Sequence, residues 1–288
     1  MPNQPTSRSS WRLIIHGPAS GAWNMAVDEA MAQAAAQGQA PPTLRFYAWD
    51  PPCISLGRSQ PLSEVDWERC RAAGVDVVRR PTGGRAILHT DELTYSVAAP
   101  PAEPVVAGAV LEAYHRISEG LVAGLRLLGI PAQEAPGTSR AGPDVSAACF
   151  EVPSAYEITA LGRKLMGSAQ HRRAQWVLQH GSLPLTGDVS RIVNYLRFED
   201  EEERKALRAA LAARATTVEA LLGRAVGFRE VAETLARGFA QALALDLTPG
   251  ELSLEEYATA QRLVAEKYGT EAWTAHRSLP EPLHAAGP

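Results

Sequence analysis

The spacing of apolar residues predicts helices at both ends of the chain and between predicted strands. The clearest helix covers 107–129, where apolar side chains recur at three- and four-residue steps and Gly129 ends the run. Its apolar positions are Val110, Tyr114, Ile117, Leu121, Leu125 and Leu128. Further helices are predicted at 24–36 and 66–73. The apolar face of 107–129 indicates core packing.

Short apolar runs bounded by turn residues predict strands in the first two thirds of the chain. They are 11–15, 44–49, 53–56, 75–79, 85–89, 93–98, 155–159, 163–166 and 176–179. Helical spacing dominates again at 200–247 and 253–268. We therefore expect an α/β (α+β) fold, with a mixed β-sheet flanked by helices. Residues 1–10 would be a disordered tail, 11–187 the main part of the domain, and 188–288 a helical part packed on it.

Composition narrows the possible functions. Hydrophobic residues make up 45% of the chain and charged residues 21%, as in an ordinary globular protein. A net charge of −4 argues against nucleic-acid binding, which usually needs a basic excess. No apolar run approaches the roughly 20 residues that span a bilayer, and the polar N-terminus lacks the apolar core of a secretory signal. We expect a cytoplasmic protein that binds neither nucleic acid nor membrane.

The chain has three cysteines, an odd number with no CxxC pair, which argues against a disulfide framework or a zinc site. Reduced thiols fit a cytoplasmic protein, and one of them is free to act as a nucleophile. Cys149 lies among small residues after the Pro/Gly-rich stretch 131–144, which leaves room for a substrate. A buried structural thiol is the alternative, and Cys53 in an apolar run and Cys70 on a short helix fit it well.

A second segment with chemical potential is RRPTGGRAILHTDELTYSV, at 79–97. Gly83 and Gly84 allow the backbone to approach a ligand closely, and three arginines flank this turn. Such a turn suits a phosphate, a carboxylate or a carbonyl oxygen, although many Gly-Gly pairs only turn the chain. The flanking arginines are Arg79, Arg80 and Arg85.

A third segment is GRKLMGSAQHRRAQWVLQHGSL, at 162–183. Lys164 lies between a predicted hairpin turn and a run of small residues, but a lysine there is often only a solvated charge. His171 and His180 are candidate acid–base groups or simple hydrogen-bonding residues. The small residues are Gly167, Ser168 and Ala169.

Four co-linear blocks resemble the biotin/lipoate protein ligase superfamily, and within it the cysteine-dependent octanoyltransferases. They are Asn24-Met25-Ala26 with Asp28-Glu29-Ala30, the 79–97 segment, the Cys149 block with Pro153-Ser154, and GRKLMGSAQ through LQHGSL. These blocks span about 11–187, and Lys267-Tyr268 with Trp273 is similar to the family's ending. Several blocks in the right order are far more specific than any one motif.

The resemblance implies a catalytic thioester on Cys149 with Lys164 as its partner, and a tunnel for an acyl chain. It implies octanoyl-acyl carrier protein as donor, a lipoyl domain or the glycine cleavage H protein as acceptor, no ATP or metal requirement, and a monomer. The arginines Arg163, Arg172 and Arg173 are candidates for a basic docking surface. The residues expected to bind substrate are Arg79, Arg80, Gly83, Gly84, Arg85, His89, Gly167, Ser168 and Ala169.

Three other functions stay open. An ATP-dependent lipoate–protein ligase would use the arginines to hold an acyl-adenylate, although Cys149 is not needed for that chemistry. Ligases also have a third glycine where this chain has Arg85, and an aspartate-glycine-asparagine run where it has 90–93. An amidotransferase would take octanoyl from the H protein, and an inactive binding module would keep only the fold.

Overall fold

The computed structural model of the chain describes residues 8–135 and 157–276. The strands are β1 (Ser9–Ala19), β2 (Thr43–Trp49), β3 (Cys53–Leu56), β4 (Asp76–Arg79), β5 (Ile87–His89), β6 (Glu92–Ala99), β7 (Ala132–Glu134), β8 (Ile158–Ala160), β9 (Arg163–Arg172), β10 (Val177–Pro184) and β11 (Leu245–Pro249). The α-helices are α1 (Gly21–Ala36), α2 (Trp67–Ala72), α3 (Val110–Leu127), α4 (Glu201–Arg214), α5 (Val218–Leu222), α6 (Phe228–Ala242), α7 (Leu254–Leu263) and α8 (Glu271–His276). A π-helical turn, Val264–Tyr268, follows α7.

Two sheets organise the described residues. The large one has the strand order β11-β1-β2-β6-β10-β9-β8-β7, with β1 parallel to both its neighbours and β10 antiparallel to both β6 and β9. The small one has the order β4-β3-β5. The mixed sheet flanked by helices confirms the predicted fold class.

One face of the large sheet is apolar and is covered by α3 and α6. Phe46, Tyr95 and Val97 from the sheet join apolar side chains of both helices in one buried cluster. The two helices approach closely at a pair of glycines. A Cβ on Gly238 of α6 would lie only 2.1 Å from the backbone nitrogen of Gly124 in α3, so the absence of a side chain there allows the contact. The burial of the predicted apolar face of 107–129 at its central positions fixes α3 against the sheet.

The opposite face of the large sheet carries a buried polar layer, beside apolar residues such as Ile14 and Leu178 that belong to one cluster with α1. Along β6 the apolar residues Leu93, Tyr95 and Val97 alternate with polar ones, because successive strand residues point to opposite faces. The polar positions are Glu92, Thr94 and Ser96, and all three are buried. Cross-strand partners continue this polar layer onto β2 and β10. The site described below is built on this face, beneath α1 and the small sheet.

Some boundaries differ from the predicted ones for reasons of tertiary pairing. The strand expected at 11–15 begins at Ser9, because Ser9 and Ser10 pair with residues of β11. The first three residues of β11 fall in the segment 200–247 predicted as helical, where they form a strand by pairing with β1, a partner that is not visible locally. Residues 1–7 of the predicted tail, and the start of the strand expected at 155–159, lie outside the described residues. Across 8–135 and 157–276, no helix combines the length and apolar character that crossing a membrane requires.

Candidate active site

Lys164 is buried near the start of β9, immediately after the hairpin turn that sequence predicted. Its ammonium group donates a hydrogen bond to Glu157, and both side chains are almost fully buried. A Cβ on Gly167 would lie 3.3 Å from Lys164 Cε and 3.5 Å from its Nζ. The glycine therefore leaves the space that the lysine side chain occupies. The main chain of Lys164 is anchored too, since its carbonyl accepts from the Thr216 amide at 2.9 Å.

The predicted Gly-Gly turn connects β4 to β5 and is held from two sides. Gly84 has φ +92°, a conformation that favours glycine. A Cβ on Gly57, at the end of the neighbouring strand β3, would lie 1.8 Å from the Gly84 carbonyl oxygen. The Arg80 guanidinium donates to the Gly83 carbonyl at 2.8 and 3.1 Å. These contacts fix the turn above the polar face of the large sheet.

The three arginines around the turn make different contacts. Arg79 is fully buried and donates to the carbonyls of Gly57 and Gln60 at 2.8 and 2.7 Å. Arg80 is buried and also donates to the main-chain carbonyl of Ser55 at 2.7 Å. Arg85 is partly exposed and pairs with Glu64 at 2.8 Å. Arg79 and Arg80 thus shape the backbone around the turn, and direct substrate binding by the three stays a prediction.

His89 forms a buried chain with a serine and a carboxylate. Its Nε2 lies 2.7 Å from Ser55 Oγ, and its Nδ1 lies 2.7 Å from Glu92 Oε1. Trp49 stacks on the ring with the centroids 3.9 Å apart. Burial opposes ionisation of Glu92, but His89 and hydroxyl donors such as Ser182 outweigh it and lower the pKa of that carboxyl. Glu92 is therefore ionised and orients His89 Nδ1–H.

A second buried histidine lies beside the turn. His180 Nε2 is 2.7 Å from Thr82 Oγ1, and Nδ1 is 3.3 Å from Asp28 Oδ2. Burial lowers the pKa of His180, so the ring is neutral at pH 7. Because a carboxylate only accepts, Nδ1 carries the proton and the Thr82 hydroxyl donates to Nε2. Asp28 also accepts from Arg45 at 2.8 Å, which ties the turn to the sheet beneath it.

The three small residues of β9 point in different directions. Gly167 and Ala169 lie opposite Ser182 and His180 of β10, on the polar face. Lys164 shares that face, since a Cβ on Gly167 would lie 3.3 Å from its Cε, and a bulge in β9 between Lys164 and Met166 allows this at a three-residue spacing. Ser168 lies on the other face, where its hydroxyl is 2.8 Å from the Tyr95 hydroxyl. Its side chain is therefore separated from Lys164 by the sheet. Substrate binding by these three residues stays a prediction.

Cys53 and Cys70 are buried thiols, whereas Cys149 is the cysteine with the predicted catalytic role. Cys149 lies outside the described residues, so its predicted thioester role stays a prediction. Cys53 and Cys70 are buried in the core. Burial raises the pKa of the Cys53 thiol well above its ordinary value and that of Cys70 to about 11. Both thiols are therefore protonated at neutral pH and poorly suited to nucleophilic attack.

Sequence reasoning missed several residues that complete this site. Glu157, the partner of Lys164, has no local signal. Asp28 lies in the first family block, and Thr82 lies within the second, but neither was assigned a contact. The alternation of polar and apolar residues from Glu92 to Val97 did carry a signal, since a strand with that pattern presents a polar face.

Comparison with known proteins identifies the family. The model for the lipoyl protein ligase A/B catalytic domain matches residues 20–240. Octanoyltransferase LipM of Kyrpidia tusciae is 47% identical, over 92% of this chain and 98% of the relative. Octanoyltransferase LipM of Symbiobacterium thermophilum is 46% identical, over 93% and 99%.

Solved structures agree with this assignment. A bi-partite lipoate protein ligase of Thermoplasma acidophilum superposes with a TM-score of 0.78 at 25% identity, covering 93% of this chain and 97% of that one. A lipoate-protein ligase A bound with ATP gives a TM-score of 0.76 at 26% identity, with coverages of 92% and 98%. The chain therefore belongs to the family of lipoyl protein ligase A/B catalytic domains, as the sequence predicted, and is an acyltransferase.

Proposed function

We propose that the enzyme transfers an octanoyl group from octanoyl-acyl carrier protein, through a thioester on Cys149, to a lysine of a lipoyl domain or the glycine cleavage H protein. The observation that carries the proposal is the 46–47% identity to octanoyltransferases along nearly the full length of both chains. The transfer would be the first step of protein lipoylation.

The chemistry divides into two balanced steps. The Cys149 thiolate attacks the donor's thioester carbonyl, the bond from that carbonyl to the carrier's sulfur breaks, and the carrier's thiolate takes a proton. The acceptor's lysine amine then attacks the Cys149 thioester, forms an amide, loses a proton and releases the Cys149 sulfur. Covalent catalysis of this kind replaces one difficult step by two easier ones. Thioester exchange is nearly balanced and amide formation is downhill, so the proposed reaction needs no ATP to drive it.

The buried position of Lys164 supports its assigned role. A free thiol is only a few per cent ionised at pH 7, and a nearby ammonium group favours the thiolate. Glu157 offsets part of the Lys164 charge but fixes the ammonium group in a site almost closed to water, where charges interact more strongly than at the surface. Glu157 also follows Cys149 by only eight positions along the chain. In the second step a neutral Lys164 would take the proton from the incoming amine.

Intact-protein mass spectrometry tests the proposal. The purified protein is incubated with octanoyl-acyl carrier protein without ATP, and the expected result is one octanoyl adduct. Cys149→Ala should remove the adduct, whereas Cys70→Ala, which changes a thiol that is protonated at neutral pH, should keep it. Lys164→Met should slow acylation or transfer by at least about 100-fold. An adduct that survives Cys149→Ala, or full activity in Lys164→Met, would contradict the assignments.

A ligase activity is the second candidate, because a lipoate-protein ligase A bound with ATP superposes over most of the chain. The same assay separates the two. Product that appears only with ATP and free octanoate, and never with the acyl carrier donor, would replace the transferase by a ligase. Product obtained only from octanoylated H protein would make the enzyme an amidotransferase.

A further inference from the structure

A group of basic residues lies beside the Gly83–Gly84 turn but outside the hydrogen-bonded site. We name it the rim cluster, and it consists of Arg58, Arg173, Lys267 and the neutral His171. Arg58 directly follows Gly57, whose Cα packs against the Gly84 carbonyl, and its own amide donates to the Thr82 carbonyl at 2.8 Å. The rim cluster therefore adjoins the turn predicted to bind substrate.

His171 lies near the end of β9, and Arg173 directly follows the strand. Arg173 Nε donates to His171 Nε2 at 3.1 Å. Burial, reinforced by the charges of Arg173 and Arg58, lowers the pKa of His171 to about 4. The imidazole is therefore neutral at pH 7 and orients the guanidinium of Arg173. Trp176 lies under the imidazole, with the ring centroids 5.1 Å apart.

Lys267 completes the rim cluster from the π-helical turn. Its ammonium group donates to Glu29 at 2.6 Å and lies 4.4 Å from the centroid of the Trp273 ring. Burial lowers the pKa of Lys267, Glu29 opposes this, and Arg173 and Arg58 lower it further. Arg58 and Arg173 thus act on the charge of Lys267, and among the described residues the one ion pair that these three cations form is that of Lys267 with Glu29. The rim cluster is therefore positively charged.

Arg58 and Arg173 are exposed, and across the described parts of the chain neither forms an ion pair. Other surface arginines do pair with carboxylates, as Arg229 does with Glu233 at 2.8 Å. Arg163 and Arg172, also predicted to form a basic surface, donate to main-chain carbonyls at 2.6 Å. Only Arg173 of those three belongs to the rim cluster. Like charges held together without a counter-charge repel one another, and an arriving anion relieves that repulsion.

We infer that the rim cluster binds the phosphate of the donor's thiol-bearing arm. The inference rests on the proposed function, because acyl carrier proteins present the acyl group on a phosphopantetheine arm, which links the reactive thioester to a phosphodiester. Guanidinium groups match phosphate oxygens in a planar, two-point geometry. A few cations beside one turn fit a single phosphate better than a broad acidic protein surface.

Three octanoyl donors distinguish the phosphate from the carrier's protein surface. Transfer to a lipoyl domain is measured with octanoyl-pantetheine, octanoyl-phosphopantetheine and octanoyl-acyl carrier protein. The variants are Arg58→Gln and Arg173→Gln, with Arg229→Gln on α6 as the matched control. We expect each rim variant to raise KM roughly fivefold to tenfold for both phosphate-bearing donors. KM for octanoyl-pantetheine should stay unchanged, and the control should match the wild type with every donor.

Two results would overturn the inference. One is a KM for octanoyl-phosphopantetheine that neither rim variant changes by more than twofold. The other is a KM increase confined to the carrier protein, which would assign the rim cluster to the carrier's acidic surface.

Calorimetric binding of unacylated phosphopantetheine and pantetheine keeps this test separate from the proposed function. If no thioester donor supports transfer by the wild type, the proposed function fails. Phosphate-dependent binding that the rim variants weaken would still support the phosphate site, whereas equal binding of the two compounds would refute it.

Discussion

Replacing Arg45 by Met tests whether the buried polar layer stabilises the fold through one charged pair. Arg45 and Asp28 are both fully buried, and the guanidinium donates to Asp28 Oδ1 at 2.8 Å and to Asn24 Oδ1 at 2.8 Å. Met fills much of the same volume without the charge. The substitution therefore leaves the Asp28 carboxylate buried without its cation, while Tyr47 and Ser96 still donate to it at 2.9 and 2.7 Å.

The magnitude follows from what remains around Asp28. Removing one partner of a buried ion pair typically lowers the free energy of unfolding by about 3–5 kcal/mol. We expect about 3 kcal/mol for Arg45→Met, because neutral donors still solvate the carboxylate. Asp28→Asn should cost a similar amount by stranding the guanidinium. The double variant should lose less than the sum of the single losses, by about 1.5–3 kcal/mol, because it leaves neither charge unpaired.

Urea denaturation monitored by tryptophan fluorescence measures these differences. The control is Arg229→Met, which removes the exposed Arg229–Glu233 pair and should change the free energy of unfolding by less than about 0.5 kcal/mol. Losses that add within about 0.5 kcal/mol would refute the coupling of Arg45 to Asp28. The pH dependence gives an independent check. Burial opposes ionisation of Asp28, but His180, Arg45 and Ser96 lower its pKa below the ordinary 3.8. Its stabilising contribution is full above pH 3.8 and is lost as the pH falls through the lower folded pKa, and Arg45→Met should shrink that loss.

Three other predictions follow from local geometry. Gly57→Ala should lower kcat/KM about 100-fold by displacing the Gly-Gly turn, whereas Gly17→Ala, with nothing within 4 Å of the new methyl group, should not. NMR titration of the His171 ring should give a midpoint near pH 4 rather than 6.5. The free energy of unfolding should fall as the pH drops from 6.5 to about 4, because only the unfolded chain binds this proton in that range. A midpoint near 6.5 would contradict the burial of the ring. Gly238→Ala should lower the free energy of unfolding by about 3 kcal/mol, since its methyl group meets the backbone of Gly124, and an unchanged urea midpoint would show that the two helices separate easily.

The sequence predicted the elements with strong periodicity and missed those that depend on distant partners. The predicted strands at 44–49 and 53–56 match β2 and β3 closely, because both are apolar runs between turn residues. The predicted helical segment 200–247 runs into the first three residues of β11, because they follow a long helical pattern and form a strand only by pairing with β1. Local propensity cannot register a partner more than two hundred residues away.

The candidate site also contains residues that the sequence identifies and residues that it does not. Lys164 and the Gly83–Gly84 turn were recognisable from family blocks and from turn chemistry. Glu157 was not, because a glutamate before a strand has the same sequence signal whether it is solvated or paired with a buried lysine. Ser168 was grouped with its neighbours, yet the alternation of a strand sends its side chain to the opposite face. Neighbours in sequence are therefore poor guides to neighbours in space on a strand, because successive side chains point to opposite faces of the sheet.

The antiparallel ladder of β6, β10 and β9 also constrains how the gene can change in length. Thr94, Ser182 and Gly167 lie side by side across these three strands, as do Ser96, His180 and Ala169. Inserting or deleting a single codon within any one strand would rotate its remaining side chains to the opposite face and separate Lys164 from its surroundings. Length variation among relatives should therefore collect at strand ends and loops, such as the tight turn at Leu161 and Gly162, while the ladder changes only by substitution.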